Sequence, residues 1–394
     1  MKEGWEIKKL KDVCSYDKEI VTNPDLPYVG LEHIESKSGK FVGTLKPTTV
    51  KSSTFHFTEK HVLYGRLRPY LNKVFLPFFE GHCSTEIFPI SVTTRILREY
   101  LYYWFLLDST VKKIDATRTG ARMPRANMTQ VSEFEIPLPP LSEQKEIVAL
   151  LDDVLSRIDK ARVNIEKNIE NAEEMFQIFL DSILTIVDTE ATETSIGDIT
   201  TKIGSGATPS GGKNAYKKSG ISLIRSLNVY DLGFKPDNLA YIDEKQAEKL
   251  NNVILQENDI LLNITGASLA RCCLVPAEYL PARVNQHVSI IRVKENTILP
   301  ELLHYILISA ENKKKLLGIG EKGGSTRQAI TKAQIKEYRI KYPTEYNKQN
   351  EMLRKISHLK EQTYALKARY TKKLQALDEL RNSVLEKAFR GELT

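Results

Sequence analysis

Four cysteines, Cys14, Cys83, Cys272 and Cys273, are all that the 394 residues contain. None stands at metal-ligand spacing, and adjacent cysteines such as Cys272 and Cys273 rarely bridge each other because the geometry is strained. All four read as reduced packing residues, which points to a cytoplasmic protein. Seven histidines (33, 56, 61, 82, 287, 304 and 358) are scattered without an H-E-x-x-H pair, so a metal-dependent hydrolase has no support. No apolar run reaches the roughly 18 residues needed to span a bilayer. The opening MKEGWEIKKLKDV is charged and lacks the apolar core of a signal peptide. No membrane partner is expected.

Nucleotide-binding loops are also wanting. Gly318-Ile-Gly320-Glu-Lys-Gly323 has the G-x-G-x-x-G spacing, but it follows no convincing strand and opens no helix. Gly211-Gly212-Lys213-Asn214 resembles the end of a phosphate loop, yet Ala207 replaces its first glycine and Asn214 the hydroxyl that would meet magnesium. Asn23-Pro24-Asp25-Leu26-Pro27-Tyr28 echoes the Asn-Pro-Pro-Tyr loop of adenine methyltransferases but carries two interrupting residues. With no catalytic spacing left, the chain is expected not to be an enzyme and to bind no cofactor or metal itself.

What is present is a long helix, twice. Ile147, Leu151, Val154, Ile158, Ala161 and Ile165 follow the 4,3,4,3,4 spacing of a coiled-coil seam. The spacing then slips, with Ile165 followed by Ile169, Ala172, Phe176, Phe179 and Ile183; two fours in a row locally unwind a supercoil. The second copy runs Met352, Ile356, Leu359, Thr363, Leu366, Tyr370, then Leu374 and Leu377, with its slip between Tyr370 and Leu374. A shared phase defect marks a duplication. The net charge of +7 is unevenly spread: 142–190 carries −7 and 346–394 carries +5, while 1–141 and 191–345 are mildly basic at +4 and +5. The acidic helix therefore suits the basic one, and the basic globular parts suit a polyanion.

The repeat extends outward. Leu10-Lys11-Asp12-Val13 resembles Ile196-Gly197-Asp198-Ile199, and Leu97-Arg98-Glu99 with Leu101 and Tyr103 matches Leu299-Pro300-Glu301 with Leu303 and Tyr305. Strands are expected at Tyr70–Phe78, Ile87–Thr93, Asp259–Thr265 and His287–Val293, and helices at Arg98–Leu107 and Pro300–Leu307. Loops are expected at Ser36–Lys40, Gly204–Lys218 and Gly318–Arg327. Pro139-Pro140 and Ser142 start the first long helix. The expected fold is α+β: two mixed α/β globular domains, 1–141 and 191–345, joined by long antiparallel coiled-coil helices, 142–190 and 346–394, in a pseudo-twofold duplication. Helices of this length, about 65 Å at roughly 1.5 Å per residue, form a ruler. Ile147, Leu151, Val154, Ile158, Ile165, Ile169, Met352, Ile356, Leu359, Leu366, Tyr370 and Leu374 are the candidates for helix pairing and subunit docking.

Reading DNA needs cations for phosphates and forked donors for base edges. The richest segment is Thr117-Arg118-Thr-Gly-Ala-Arg122-Met-Pro-Arg125-Ala-Asn127, and its counterpart is Gly320-Glu-Lys322-Gly-Gly-Ser-Thr-Arg327-Gln328. Gly65-Arg66-Leu67-Arg68-Pro69-Tyr70 is a further candidate. Candidate contacts are Arg66, Arg68, Arg118, Arg122, Arg125, Asn127, Lys322, Arg327 and Gln328, with Lys213 on phosphate.

These residues resemble the specificity subunit of a type I restriction–modification system. Gly4-Trp5-Glu6 with Leu10 resembles the opening of its recognition domain, and Pro137-Leu-Pro-Pro-Leu-Ser-Glu-Gln144 its junction with the spacer helix. Gly204-Ser-Gly-Ala-Thr-Pro209 and the ending Leu385-Glu-Lys-Ala-Phe389-Arg-Gly391-Glu-Leu393 are also similar. The second junction, Tyr342-Pro343-Thr-Glu345-Tyr346, lacks the fuller form. The resemblance implies two target recognition domains that read the halves of a bipartite, asymmetric site in double-stranded DNA. It further implies spacer helices that set the gap, at most roughly 19 base pairs at about 3.4 Å each. Two methyltransferase subunits using S-adenosylmethionine would dock on the helices, and restriction subunits using ATP and magnesium would join. A DNA-binding coiled-coil regulator or architectural protein is the alternative.

Overall fold

A computed structural model describes residues 2–22, 25–185, 191–209, 215–321 and 328–393. The chain divides into two compact units, Met1–Lys167 with Tyr370–Thr394, and Asn168–Arg369. Both boundaries fall inside long helices.

In the first unit, β1 (Glu6–Lys9) pairs antiparallel with β10 (Glu135–Leu138), closing the ends of the globular part. One four-stranded sheet runs β2-β9-β6-β7, from Cys14–Tyr16, Ile87–Val92, Val62–Gly65 and Val74–Phe75. A second runs β3-β5-β8-β4, from Ile20–Val21, Thr54–Phe57, Gly81–Ser84 and Tyr28–Val29. Helices α1 (Arg98–Leu106), α2 (Asp108–Ala116) and α3 (Met128–Val131) complete the unit with its share of α4 (Leu141–Thr185). The core is aromatic: Tyr64 stacks on Phe105 at 4.7 Å, and Tyr100 meets Phe389 of the last long helix at 4.6 Å.

The second unit repeats this plan. β11 (Thr192–Ser195) pairs with β21 (Arg339–Tyr342). The main sheet runs β12-β20-β17-β18, from Thr200–Ser205, Val288–Val293, Ile260–Asn263 and Cys272–Leu274. A smaller sheet runs β16-β13-β19, from Ala240–Ile242, Ile221–Ile224 and Ala282–Val284, with the hairpin β14 (Val229–Tyr230) and β15 (Gly233–Phe234) beside it in sequence. Its helices are α5 (Glu244–Glu248), α6 (Pro300–Ile308), α7 (Ala310–Glu321), α8 (Lys332–Glu337) and its share of α9 (Tyr346–Arg390).

Two expectations are corrected. Of Tyr70–Phe78 only Val74–Phe75 is strand, because a 3-10 turn takes Pro69–Leu71 and Asn72 adopts a left-handed backbone with φ 42°. Gly318–Glu321 are not loop but the end of α7, where a methyl on Gly320 would stand 2.4 Å from Leu269. All four cysteines are buried and unbridged. Burial pushes the Cys14 and Cys273 thiols up to about 12, so neither is a nucleophile near neutral pH.

Within each unit the long helices run antiparallel. In the first, Asp159 and Arg162 of α4 pair with Arg381 and Asp378 of α9; in the second, Glu173 pairs with Lys367. Two of these pairs place the acid on α4, and Arg162–Asp378 reverses the polarity. Ile147, Leu151, Ile158, Met352 and Ile356 are buried; Val154, Ile165, Ile169, Leu359, Tyr370 and Leu374 are half-buried; Leu366 is 39% exposed. Leu155, Leu180, Leu353, Leu385 and Phe389 are buried as well. Near its globular part each helix buries a stripe wider than a two-helix seam, as expected where it packs on a partner helix and a core together.

Candidate nucleic-acid interface

The arginine-rich segments of the first unit, far apart in sequence, form one surface. The turn after β6 is held by the chain that precedes α3: Ala126 N–H donates to Arg66 O at 2.9 Å and Arg68 N–H to Pro124 O at 2.7 Å. Glu86, leading into β9, sits against both. Arg125 donates from Nε and Nη2 to Glu86 Oε1 at 2.9 and 2.7 Å, and Arg66 Nε donates to Oε2 at 3.0 Å. Burial alone would raise the Glu86 carboxyl, but the hydrogen bonds and charges of Arg125 and Arg66 outweigh it and hold it below the usual range.

The expected contact residues take different parts. Arg118 is tied to Asp115 at 2.7 Å. The Asn127 carboxamide caps α3 by accepting from Gln130 N–H at 3.2 Å. Arg68 and Arg122 are exposed and have no ion-pair partner among the described residues. Lys213, Lys322 and Arg327 lie outside the described residues. Gln328 is exposed beside the equivalent turn of the second unit.

That equivalence is detailed. Ile330 N–H donates to Ile264 O at 2.9 Å, Gly266 N–H to Gln328 O at 3.2 Å and Ile264 N–H to His287 O at 3.0 Å; in the first unit Arg66 N–H likewise donates to Glu86 O at 2.9 Å. Gln328 thus stands where Pro124 does, Thr331 where Asn127 does, and His287 where Glu86 does. In place of a carboxylate and two arginines the second unit has an imidazole, a hydroxyl and a carboxamide. His287 Nδ1 shares a 2.6 Å hydrogen bond with Thr265 Oγ1, Gln286 Nε2 lies 3.1 Å from His287 Nε2, and Thr208 Oγ1 donates to Gln286 Oε1. Gly206 permits this approach, since a Cβ there would lie 1.9 Å from Val284 O.

Sequence reasoning missed Glu86, His287 and a polar cavity of about 510 Å³ in the second unit lined by Lys202, Lys332, Lys336, Ser205, Ser289 and Asn252. The three lysines have no ion-pair partner among the described residues; the i, i+4 spacing of Lys332 and Lys336 was the available signal. Among the described residues no cluster of His, Cys, Asp and Glu could hold a metal ion, and no helix is long and apolar enough to cross a membrane.

The junctions match as closely. Gln144 is fully buried, accepts from Leu97 N–H at 2.8 Å and donates to Arg95 O and Pro139 O at 3.0 and 2.9 Å. Gln349 accepts from Leu299 N–H at 2.8 Å and donates to Thr297 O and Pro343 O at 3.2 and 2.9 Å. The second junction therefore keeps the glutamine of the fuller form, one residue later.

A family described as type I restriction modification DNA specificity domain matches twice, over residues 2–171 and 189–376. The specificity subunit of the type I restriction enzyme EcoDI of Escherichia coli is 29% identical over 226 residues, 53% of this chain and 50% of that protein. The EcoBI specificity subunit of Escherichia coli is 23% identical over 318 residues, 74% of this chain and 65% of that one. The chain thus spans between half and two thirds of these curated relatives' length. A solved structure described as the basis of complex assembly and conformational transition of the type I R-M system superposes with a TM-score of 0.76 at 20% identity, covering 100% of this chain and 99% of that one. The HsdS subunit from Thermoanaerobacter tengcongensis gives 0.54 at 20% identity, with 100% and 98% covered. At this identity the likeness is one of fold.

Proposed function

From the membership of this chain in the family of type I restriction modification DNA specificity proteins, we propose that it is the sequence-reading subunit of such a system. In this reading the globular parts, 1–141 and 191–345, are target recognition domains, each taking one half of a bipartite double-stranded DNA site. The helical parts, 142–190 and 346–394, set the gap and dock two methyltransferase subunits. S-adenosylmethionine belongs to those subunits, and ATP and magnesium to restriction subunits that join them. The chain supplies no catalytic group and works in the cytoplasm.

One observation carries the reading: a duplicated backbone frame presents different side chains at its equivalent turn, Glu86 with two arginines in one unit and His287 with Thr265 and Gln286 in the other. Two readers of unlike chemistry call for an asymmetric target. Arg68, Arg122, Lys213, Lys322, Arg327 and the cavity lysines supply cations for phosphate; Arg66 and Gln328 stand nearer the role of base readers.

The test is co-expression with the cognate methyltransferase in a methylation-free host, followed by mapping of N6-methyladenine. A bipartite, asymmetric motif with a fixed gap is expected. A soluble complex that methylates without sequence preference would end this reading.

A further inference from the structure

Arg66 and Arg125 share one carboxylate but spend their guanidinium groups differently. Arg125 places Nε and Nη2 on Glu86 and Nη1 on Met123 O at 3.1 Å. Its fork is consumed, and it acts as a clamp. Arg66 gives Glu86 only Nε. Its two Nη groups have no hydrogen-bond partner among the described residues, and its side chain keeps 33% of its surface exposed. The Phe88 ring lies 5.2 Å from its guanidinium carbon, so the plane is held on one edge by a carboxylate and on one face by a ring.

The surroundings give that edge a purpose. Arg68 and Arg122 are exposed on the same two segments as Arg66 and Arg125, and the exposed Lys18 ammonium lies 4.6 Å from the Phe88 ring, so further cations border this surface. Such a surface attracts an anion. A lone phosphate would be served by any of these exposed cations, whereas a fixed, planar, two-donor edge matches a planar pair of acceptors. In the major groove that pair is O6 and N7 of guanine, the commonest partner of a forked arginine. Resting on the DNA-reading function proposed above, we infer that Arg66 reads a guanine through Nη1 and Nη2, and that Glu86 is its positioning residue.

The experiment uses the complex of this chain with its methyltransferase. Once the motif is mapped, each guanine of the site is replaced in turn by 7-deazaguanine, which removes N7 but keeps Watson–Crick pairing. Binding of these duplexes is then compared for wild type, Arg66→Ala and Arg66→Lys. One replacement is expected to weaken wild-type binding about tenfold or more. Arg66→Ala should be indifferent to that same replacement and Arg66→Lys, a single unforked donor, should show a smaller penalty than wild type, while both keep their response to the other half-site, which also shows that they are folded. Glu86→Gln should shrink the wild-type penalty without moving it to another position. Wild-type indifference to every replacement, or a full penalty in Arg66→Ala, overturns the inference and leaves the function standing. Absence of any sequence motif in the wild-type complex overturns both.

Discussion

At the turn after the central strand of each main sheet, one unit has Arg68 and the other Gly266, and both adopt a left-handed backbone, φ 51° and 69°. Four residues on, Asn72 and Ala270 do so again, with φ 42° and 63°. Just before β9 and β20, Glu86 in one unit corresponds to His287 in the other. Within α1 and α6, Tyr102 corresponds to His304. The hydrogen-bonded backbone is common to both units, and the side chains on it are not. A frame built from main-chain bonds and one buried glutamine tolerates exchange of almost everything that faces solvent. The two units can therefore diverge without refolding.

The comparison predicts equal damage where the frame is shared. Gln144→Leu and Gln349→Leu each orphan one buried N–H and two carbonyls. At about 1–3 kcal/mol for an unmade bond, a loss of about 3–5 kcal/mol in either unit is expected. Hydrogen exchange at the Leu97 and Leu299 amides reads the two separately. Loss in one unit only would break the equivalence.

Unequal behaviour is expected where the units differ, and acid sharpens it. His304 is enclosed and donates to backbone carbonyls of Asp231 and Cys272 at 2.9 and 3.1 Å. Burial drives its pKa from 6.5 down to about 4, with the Lys360 charge acting in the same direction against the Cys272 hydrogen bond. Between those values the unfolded chain takes up a proton that the folded chain refuses. Stability is therefore full above pH 6.5 and falls towards pH 4, by at most about 3 kcal/mol. Tyr102 at the same place does not titrate there, and the first unit's buried His82, also lowered by burial, is partly held against that shift by backbone hydrogen bonds at Thr48 and Leu26. The second unit should open first as pH is lowered from 7 to 4.5, seen as faster exchange in β18 than in β7. If His304→Gln leaves the acid opening of the second unit unchanged, His304 is not the cause.

Much of this architecture was legible. The phase slip in the two helices revealed the duplication, because seam spacing is a local property of sequence. The arginine-rich segment was recognisable as a basic loop. That Arg125 would be a clamp and Asn127 a helix cap was not, because Glu86 lies 39 residues from Arg125 and only folding brings them together. Gln349 was hidden by a single residue: the helix after Pro343 starts at Tyr346, whereas the helix after Pro139 starts at Leu141. The breadth of helix burial escaped for a related reason. A heptad reports one partner, and Leu155, Leu353 and Leu385 also pack on a globular core. The Gly-x-Thr-Pro element gives a test of the unit that owns it. Gly206→Ala would press a methyl on Val284 O, and a loss of about 1–3 kcal/mol confined to the second unit is expected from thermal unfolding.

The smallest effect concerns Arg68. A left-handed backbone costs an ordinary residue about 1 kcal/mol or more, and exposed Arg68 makes no ion pair among the described residues that would offset it. Arg68→Gly relieves that strain but adds freedom to the unfolded chain, roughly 0.5–1 kcal/mol. The thermal midpoint should then stay level or rise slightly. DNA binding should weaken, with the salt slope falling by about 0.9 if the lost cation touched one phosphate. The reverse exchange, Gly266→Arg, meets nothing within 4 Å of the new Cβ. Its expected cost of about 1 kcal/mol is therefore conformational. If Arg68→Gly instead destabilises the first unit and leaves the salt slope unchanged, the arginine is structural, and the two turns differ in packing rather than in what they hold.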